Sequence, residues 1–118
     1  MQGILIIAHG SREKQTEETF LKMVSMIKEK VNMPVEYAYM EFSPKNIECG
    51  LNALVEQGIN DIKVVPYFLF SGIHIREDIP QEINEFVEKN ANVTITMGDT
   101  LGADPRIADV LADRILGK

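Results

Sequence analysis

Cysteine is almost absent from this chain. Cys49 stands alone, which excludes a disulfide framework and a paired CxxC zinc site. A lone thiol suits a reducing compartment, so the cytoplasm is the expected location. Basic charge is scarce too, with 12 Lys and Arg against 18 Asp and Glu and a net charge of −6. That is the reverse of the footprint left by nucleic-acid binding, although a local pair of arginines can still receive an anionic small ligand. No apolar run approaches the ~20 residues needed to span a bilayer. The N-terminus enters a strand without a basic n-region or cleavage site, so no leader is expected. Neither a GxxxxGK[ST] phosphate loop nor a GxGxxG turn is present. The first strand does not end in the acids of a phospho-receiver, and the segment after it lacks the spaced glycine and hydroxyls of a flavin loop. With no repeat or linker, residues 1–118 read as one domain with one core.

What is present is an alternation of strand and helix repeated four times. Gly3–Ala8 is continuously apolar, as a strand covered on both faces should be. Glu13–Val31 carries Phe20, Met23, Val24, Ile27 and Val31 on one helical stripe. In Val35–Glu41, Val35, Tyr37 and Tyr39 alternate with wetter positions, predicting a second strand. Ser43 and Pro44 predict the cap and first turn of a second helix, with Gly58 stopping it after Gln57. Asp61–Phe68 reads as a third strand. Glu77–Lys89 reads as a third helix, with Asp78 and Pro80 in its first turn and Ile79, Ile83, Phe86 and Val87 inward. Val93–Met97 is a fourth strand. Asp104 and Pro105 open a last helix, whose Ile107, Val110, Leu111 and Ile115 are expected to face the core.

Strands one and three read as covered on both faces and therefore central; two and four read as edges. Right-handed crossovers then give an α/β fold with a four-stranded parallel sheet in the order 2-1-3-4 and helices on both faces, a flavodoxin-like sandwich. The chain reverses direction between strands one and three, which opens a crevice at their carboxyl ends.

The only two histidines both fall at that crevice: His9 just beyond strand one, His74 beyond strand three. Two neutral imidazoles facing each other can hold a transition-metal ion or share proton transfer near neutral pH. Glu41, one strand away beside His9, either completes a His-His-Glu set or is a solvated carboxylate at a strand end. Arg12 and Arg76 follow the histidines closely and are either exposed ion-pair partners or guanidinium forks for substrate carboxylates. Ser11 either caps the first helix or donates to a ligand. Gly10 and Gly72 read as tight turns or points of close approach. Glu82, Glu85 and Glu88 read as the wet face of the third helix, and the six methionines as core filling.

Ala8-His9-Gly10-Ser11-Arg12, Met40-Glu41, Val65-Pro66-Tyr67-Phe68-Leu69, Gly72-Ile73-His74-Ile75-Arg76-Glu77-Asp78-Ile79-Pro80 and Leu101-Gly102-Ala103-Asp104-Pro105 occur in this order. In this the whole chain resembles the short, single-domain CbiX/SirB-type class II chelatases. The resemblance implies insertion of a divalent metal into sirohydrochlorin, with Co²⁺ first and Ni²⁺ or Fe²⁺ as options. It implies His9 and His74 as metal ligands and catalytic groups, with Glu41 as third ligand or base. Ser11, Arg12, Gly72 and Arg76 are then expected at the substrate. The resemblance also implies a homodimer and no cofactor beyond the metal inserted. A different class of function uses the same pocket: a carrier that binds metal or tetrapyrrole stoichiometrically without turnover.

Overall fold

A computed structural model describes residues 2–118, except for the side chains of His74 and Ile75. The chain runs β1 (Gln2–Ala8), α1 (Lys14–Lys30), β2 (Val35–Tyr39), α2 (Ile47–Glu56), β3 (Asp61–Pro66), α3 (Ile73–Lys89), β4 (Thr94–Met97) and α4 (Pro105–Leu116). All pairings are parallel and the sheet order is β2-β1-β3-β4, as the sequence predicts.

Period-two alternation divides the core between the sheet's two faces. On one face Leu5, Ile7, Ala38, Ile62 and Val64 pack against Leu51 and Leu54 of α2 and Ile79, Ile83 and Phe86 of α3. On the other, Ile4, Ile6, Val35 and Tyr39 pack against Phe20 and Val24 of α1. Burying one such aliphatic or aromatic side chain contributes about 1.5–3 kcal/mol, so the β1 run Gly3–Ile7, buried throughout, is the principal anchor of the sheet.

Four expectations need correction. β3 is covered on one face only: Ile62, Val64 and Pro66 are buried, but Lys63 is exposed and Val65 half-buried. On the same side Thr94 and Thr96 of β4 are exposed. The cause lies in α4, which was expected to cover core. None of its residues is buried, and Val110, Leu111, Ile115 and Leu116 are all exposed.

α2 is capped by Asn46, whose Oδ1 accepts from Cys49 N at 2.9 Å, rather than by Ser43. Ser43 Oγ instead accepts from Lys45 N within the loop before it. Finally, α3 begins at Ile73, four residues earlier than expected, so Pro80 lies inside the helix and not in its first turn. Proline supplies no N–H to the Arg76 carbonyl four residues back. Burial of Ile79 and Ile83 against the sheet carries the helix through that gap.

Candidate functional site

The carboxyl ends of β1 and β2 continue their ladder one step beyond the sheet. Met40 N donates to Ala8 O and Glu41 N to His9 O, both at 3.0 Å. This fixes the two backbones side by side and brings the side chains together: His9 Nε2 lies 2.5 Å from Glu41 Oε1. The ring N–H donates and the carboxylate accepts. Both side chains are about half exposed, 58% and 48%, so the pair contributes little to stability and stays open to a ligand.

Gly10 makes this approach possible. Its φ is +101°, and a Cβ there would lie 2.0 Å from the Glu41 carbonyl oxygen. Only glycine fits both the conformation and the contact. Gly72, by contrast, caps α3 at φ −86° with open space where a Cβ would stand, so no tight turn and no neighbouring protein atom requires glycine there.

Three cavities share His9. One of about 540 Å³ lies on the α1 side, lined by Ser11, Thr16, Phe20, Tyr39, Tyr67 and others. A second, about 390 Å³, has Met40 and Glu41 on one wall and Asp78, Gln81, Glu82 and Glu85 of α3 on the other. A third, about 490 Å³, is apolar and bounded by Tyr67, Phe68, Leu69, Phe70 and Gly72. The Phe68 ring meets the His9 ring edge to face at 6.4 Å. His9 thus stands where an aromatic pocket, an acidic pocket and an apolar mouth meet.

The other residues read from the sequence divide. Ser11 lines the α1-side cavity, and its Oγ accepts from Glu13 N at 3.0 Å. Arg12 lies over the Phe42 ring at 4.8 Å, a cation–π contact, and lines none of these three cavities. Arg76 lines a separate cavity with Ser71, Pro80, Met97 and Asp99, so the two arginines are not brought together. His74 falls in the first turn of α3; its side chain lies outside the described residues. Among the described residues no three His, Cys, Asp or Glu side chains form a metal-binding group. The donors brought together are therefore two, His9 and Glu41.

Sequence reading missed three features. Asp78, Glu82 and Glu85 follow i, i+4, i+7 and so share one face of α3; it is exposed, as expected for Glu82 and Glu85, and it also walls the cavity that Glu41 lines. The Glu82 carboxyl is held above its ordinary range, by burial first and then by repulsion from Glu85 and Asp78. Phe42 adopts φ +64° and supplies the platform for Arg12; a phenylalanine after a strand end gives no signal of that. Tyr39 is buried, and its hydroxyl has no hydrogen-bond partner among the described residues.

A family model described as CbiX matches residues 3–117. The chain is 34% identical over 116 residues to a sirohydrochlorin ferrochelatase of Priestia megaterium, covering 98% of this chain and 44% of the relative. It is 30% identical to the sirohydrochlorin cobaltochelatase of Sulfurisphaera tokodaii, covering 98% and 92%. The crystal structure of the sirohydrochlorin chelatase SirB from Bacillus subtilis subspecies spizizenii in complex with cobalt superposes with a TM-score of 0.94 at 30% identity. That match covers 98% of this chain and 50% of the SirB chain. The chain therefore spans about half the length of some relatives and nearly all of others.

Proposed function

The chain belongs to the CbiX family, and from that premise we propose that it inserts a divalent metal, Co²⁺ first, into sirohydrochlorin. The observation that carries the reading is the His9–Glu41 pair, half exposed at the carboxyl ends of β1 and β2. Relatives named for cobalt and for iron support a divalent transition metal as cargo. Imidazole plus carboxylate suits Co²⁺, Ni²⁺ and Fe²⁺ alike.

Two tasks follow from the chemistry. The metal must exchange its water shell for a few protein ligands that leave positions open for ring nitrogens. His9 and Glu41 meet this need, because an ion entering between them takes the place of the proton they share and is bound by one nitrogen and one oxygen. His74 is assigned as a further ligand. The ring must also lose its pyrrole N–H protons as metal enters, and Glu41 and His9 are the bases within reach. Arg12, Ser11, Gly72 and Arg76 are assigned to the substrate and its carboxylates, Arg12 by its guanidinium fork.

A ring about 15 Å across is large against pockets of a few hundred cubic ångströms, so a homodimer that supplies a second wall belongs to the same reading, with the cytoplasm as its location and no cofactor beyond the inserted metal. No helix among the described residues is long and apolar enough to cross a membrane. Sirohydrochlorin and Co²⁺, mixed anaerobically with the protein, should show the ring's absorption change faster than without it. The reading is overturned if Co²⁺, Ni²⁺ and Fe²⁺ all give the spontaneous rate. Stoichiometric binding without turnover would replace it with the carrier.

A further inference from the structure

The loop after β2 holds a backbone outlier. Among the described residues Phe42 alone combines a side chain with a positive φ, +64°, a conformation that strains any residue with a Cβ and a bulky one most. The loop closes tightly around it. Tyr39 N donates to Lys45 O at 2.9 Å, Ser43 Oγ accepts from Lys45 N at 3.1 Å, and Glu41 N donates to His9 O. Such a turn asks for a left-handed residue, and glycine would meet that need without strain. A phenyl ring at this place needs a separate reason.

Packing does not supply that reason. Phe42 is 51% exposed, belongs to neither core cluster and lines none of the four cavities. What the ring meets is Arg12, whose guanidinium carbon lies 4.8 Å from its centroid. Arg12 is exposed, and its side chain makes no hydrogen bond or ion pair among the described residues. The guanidinium N–H groups all lie in one plane, so a ring over one face fixes the plane and leaves the donors free. The two residues follow the His9–Glu41 pair, Phe42 directly after Glu41 and Arg12 three residues after His9.

We propose that Phe42 is a positioning residue for Arg12: the ring holds the guanidinium in one orientation, and the free fork takes a peripheral carboxylate of sirohydrochlorin. The inference rests on the substrate proposed above and adds how that substrate is held at its edge. Arg12 lies outside the three cavities around His9. A tetrapyrrole about 15 Å across exceeds pockets of a few hundred cubic ångströms, so its carboxylates reach past their walls. Immobilising a free arginine is among the larger side-chain entropy losses. Ordering Arg12 on Phe42 before the substrate arrives moves that loss from binding to folding, and the strain at Phe42 is the backbone's share of the same cost. Charge points the same way. The chain carries a net −6, so a polycarboxylate needs a placed cation where it makes contact. An aromatic platform holds that cation without neutralising it, as an aspartate or glutamate partner would.

Arg12→Ala should weaken binding of metal-free sirohydrochlorin to the full chain, read from the ring's absorption, by about 10-fold or more. Phe42→Gly should weaken it by about 3- to 5-fold, with Tm within about 3 °C of wild type. In turnover the loss should fall on KM and not on kcat. Phe42→Trp, which keeps a ring under the guanidinium, should recover most of the affinity lost in Phe42→Gly. Arg12→Ala with Phe42→Gly should bind no more weakly than Arg12→Ala alone. In NMR spectra the Arg12 δ-methylene protons should be shifted upfield by the ring and return to their ordinary range in Phe42→Gly. The inference is overturned if Phe42→Gly binds as tightly as wild type, if the two losses add, or if the upfield shift is absent. A fall in kcat or Tm instead of affinity also overturns it and assigns Phe42 to the Glu41 backbone or to stability. A wild type that binds sirohydrochlorin in the expected pattern but does not accelerate metallation leaves the positioning standing and overturns only the chelatase reading. Accelerated metallation with indifferent Phe42 variants does the reverse.

Discussion

His9 Nε2 and Glu41 Oε1 lie 2.5 Å apart, although 32 residues separate them in the chain. The contact follows from backbone rather than side-chain choice. Parallel pairing of β1 with β2 sets Ala8 beside Tyr39, and two further ladder hydrogen bonds carry that register to Glu41. Any residue after Ala8 would meet any residue after Met40 here; that these are imidazole and carboxylate makes the place chemical.

Removing either partner should therefore cost chemistry and not fold. Both side chains are half exposed, and substitutions at such positions usually change stability by within about 0.5 kcal/mol. His9→Ala should lower metallation of sirohydrochlorin about 100-fold or more, the scale of losing a positioned base. Glu41→Gln should lower it about 10- to 100-fold, because the amide keeps the shape but accepts no proton. Steady-state rates beside Tm values test this. An inactive variant whose Tm has also collapsed would reassign the pair to structure.

Gly10 gives the opposite pattern. A methyl group at Gly10 would stand 2.0 Å from the Glu41 carbonyl oxygen, in a backbone at φ +101°. Gly10→Ala must push the β2 extension away from β1, at a cost of about 2–3 kcal/mol in strain. Both Tm and activity should fall, and the ladder hydrogen bond from Glu41 N should lose protection in amide exchange. Full activity with protected Glu41 N–H would contradict the close-approach argument.

Sheet order and the His9–Glu41 neighbourhood were legible because both follow from local pattern: an apolar run for β1, alternation in β2, and right-handed crossovers. What was not legible depended on tertiary context. The amphipathic stripe of α4 is the pattern of a helix on a core, but periodicity records only that a face is apolar, and none of the α4 residues is buried. The start of α3 was obscured by Pro80, a common first-turn residue that here sits inside the helix. The acidic face of α3 is wet, as its helical spacing predicts, but spacing does not tell that it also walls a cavity with Glu41. Tyr39 looked like an ordinary alternating strand residue, and nothing local signals that its hydroxyl finds no partner.

That hydroxyl makes a stability prediction. An unpaired buried polar group costs about 1–3 kcal/mol, so Tyr39→Phe should raise stability by about 1 kcal/mol. The wild-type phenol is pushed up to about 12, by burial first and then by Glu17 and Tyr37. In the unfolded chain it ionises near its ordinary 10.0. Above that pH the unfolded state releases a proton that the folded state retains, so stability falls as pH rises from 10 toward 12. Tyr39→Phe should remove this part of the alkaline loss. Denaturant midpoints at neutral pH and across that interval decide it; a destabilised variant would mean that the hydroxyl has a partner after all.

The cap of α4 sets an acid limit of the opposite sign. The Asp104 carboxyl is lowered to about 2 from an ordinary 3.8, chiefly by its side-chain hydrogen bond to Arg106 and next by the Arg106 backbone N–H. The two guanidinium contacts measure 2.9 and 2.7 Å. A depressed carboxyl contributes stability that is fully present above the unfolded value and is lost as pH falls through the folded one. The start of α4 should thus hold at pH 4 and fray progressively toward pH 2. Asp104→Ala should fray it at neutral pH as well and flatten the acid dependence. Amide exchange of Ile107 and Ala108, whose N–H groups donate to the Asp104 carbonyl, reads this directly. Exchange at these two amides that stays flat from pH 4 to pH 2, or that is unchanged in Asp104→Ala, would contradict the cap.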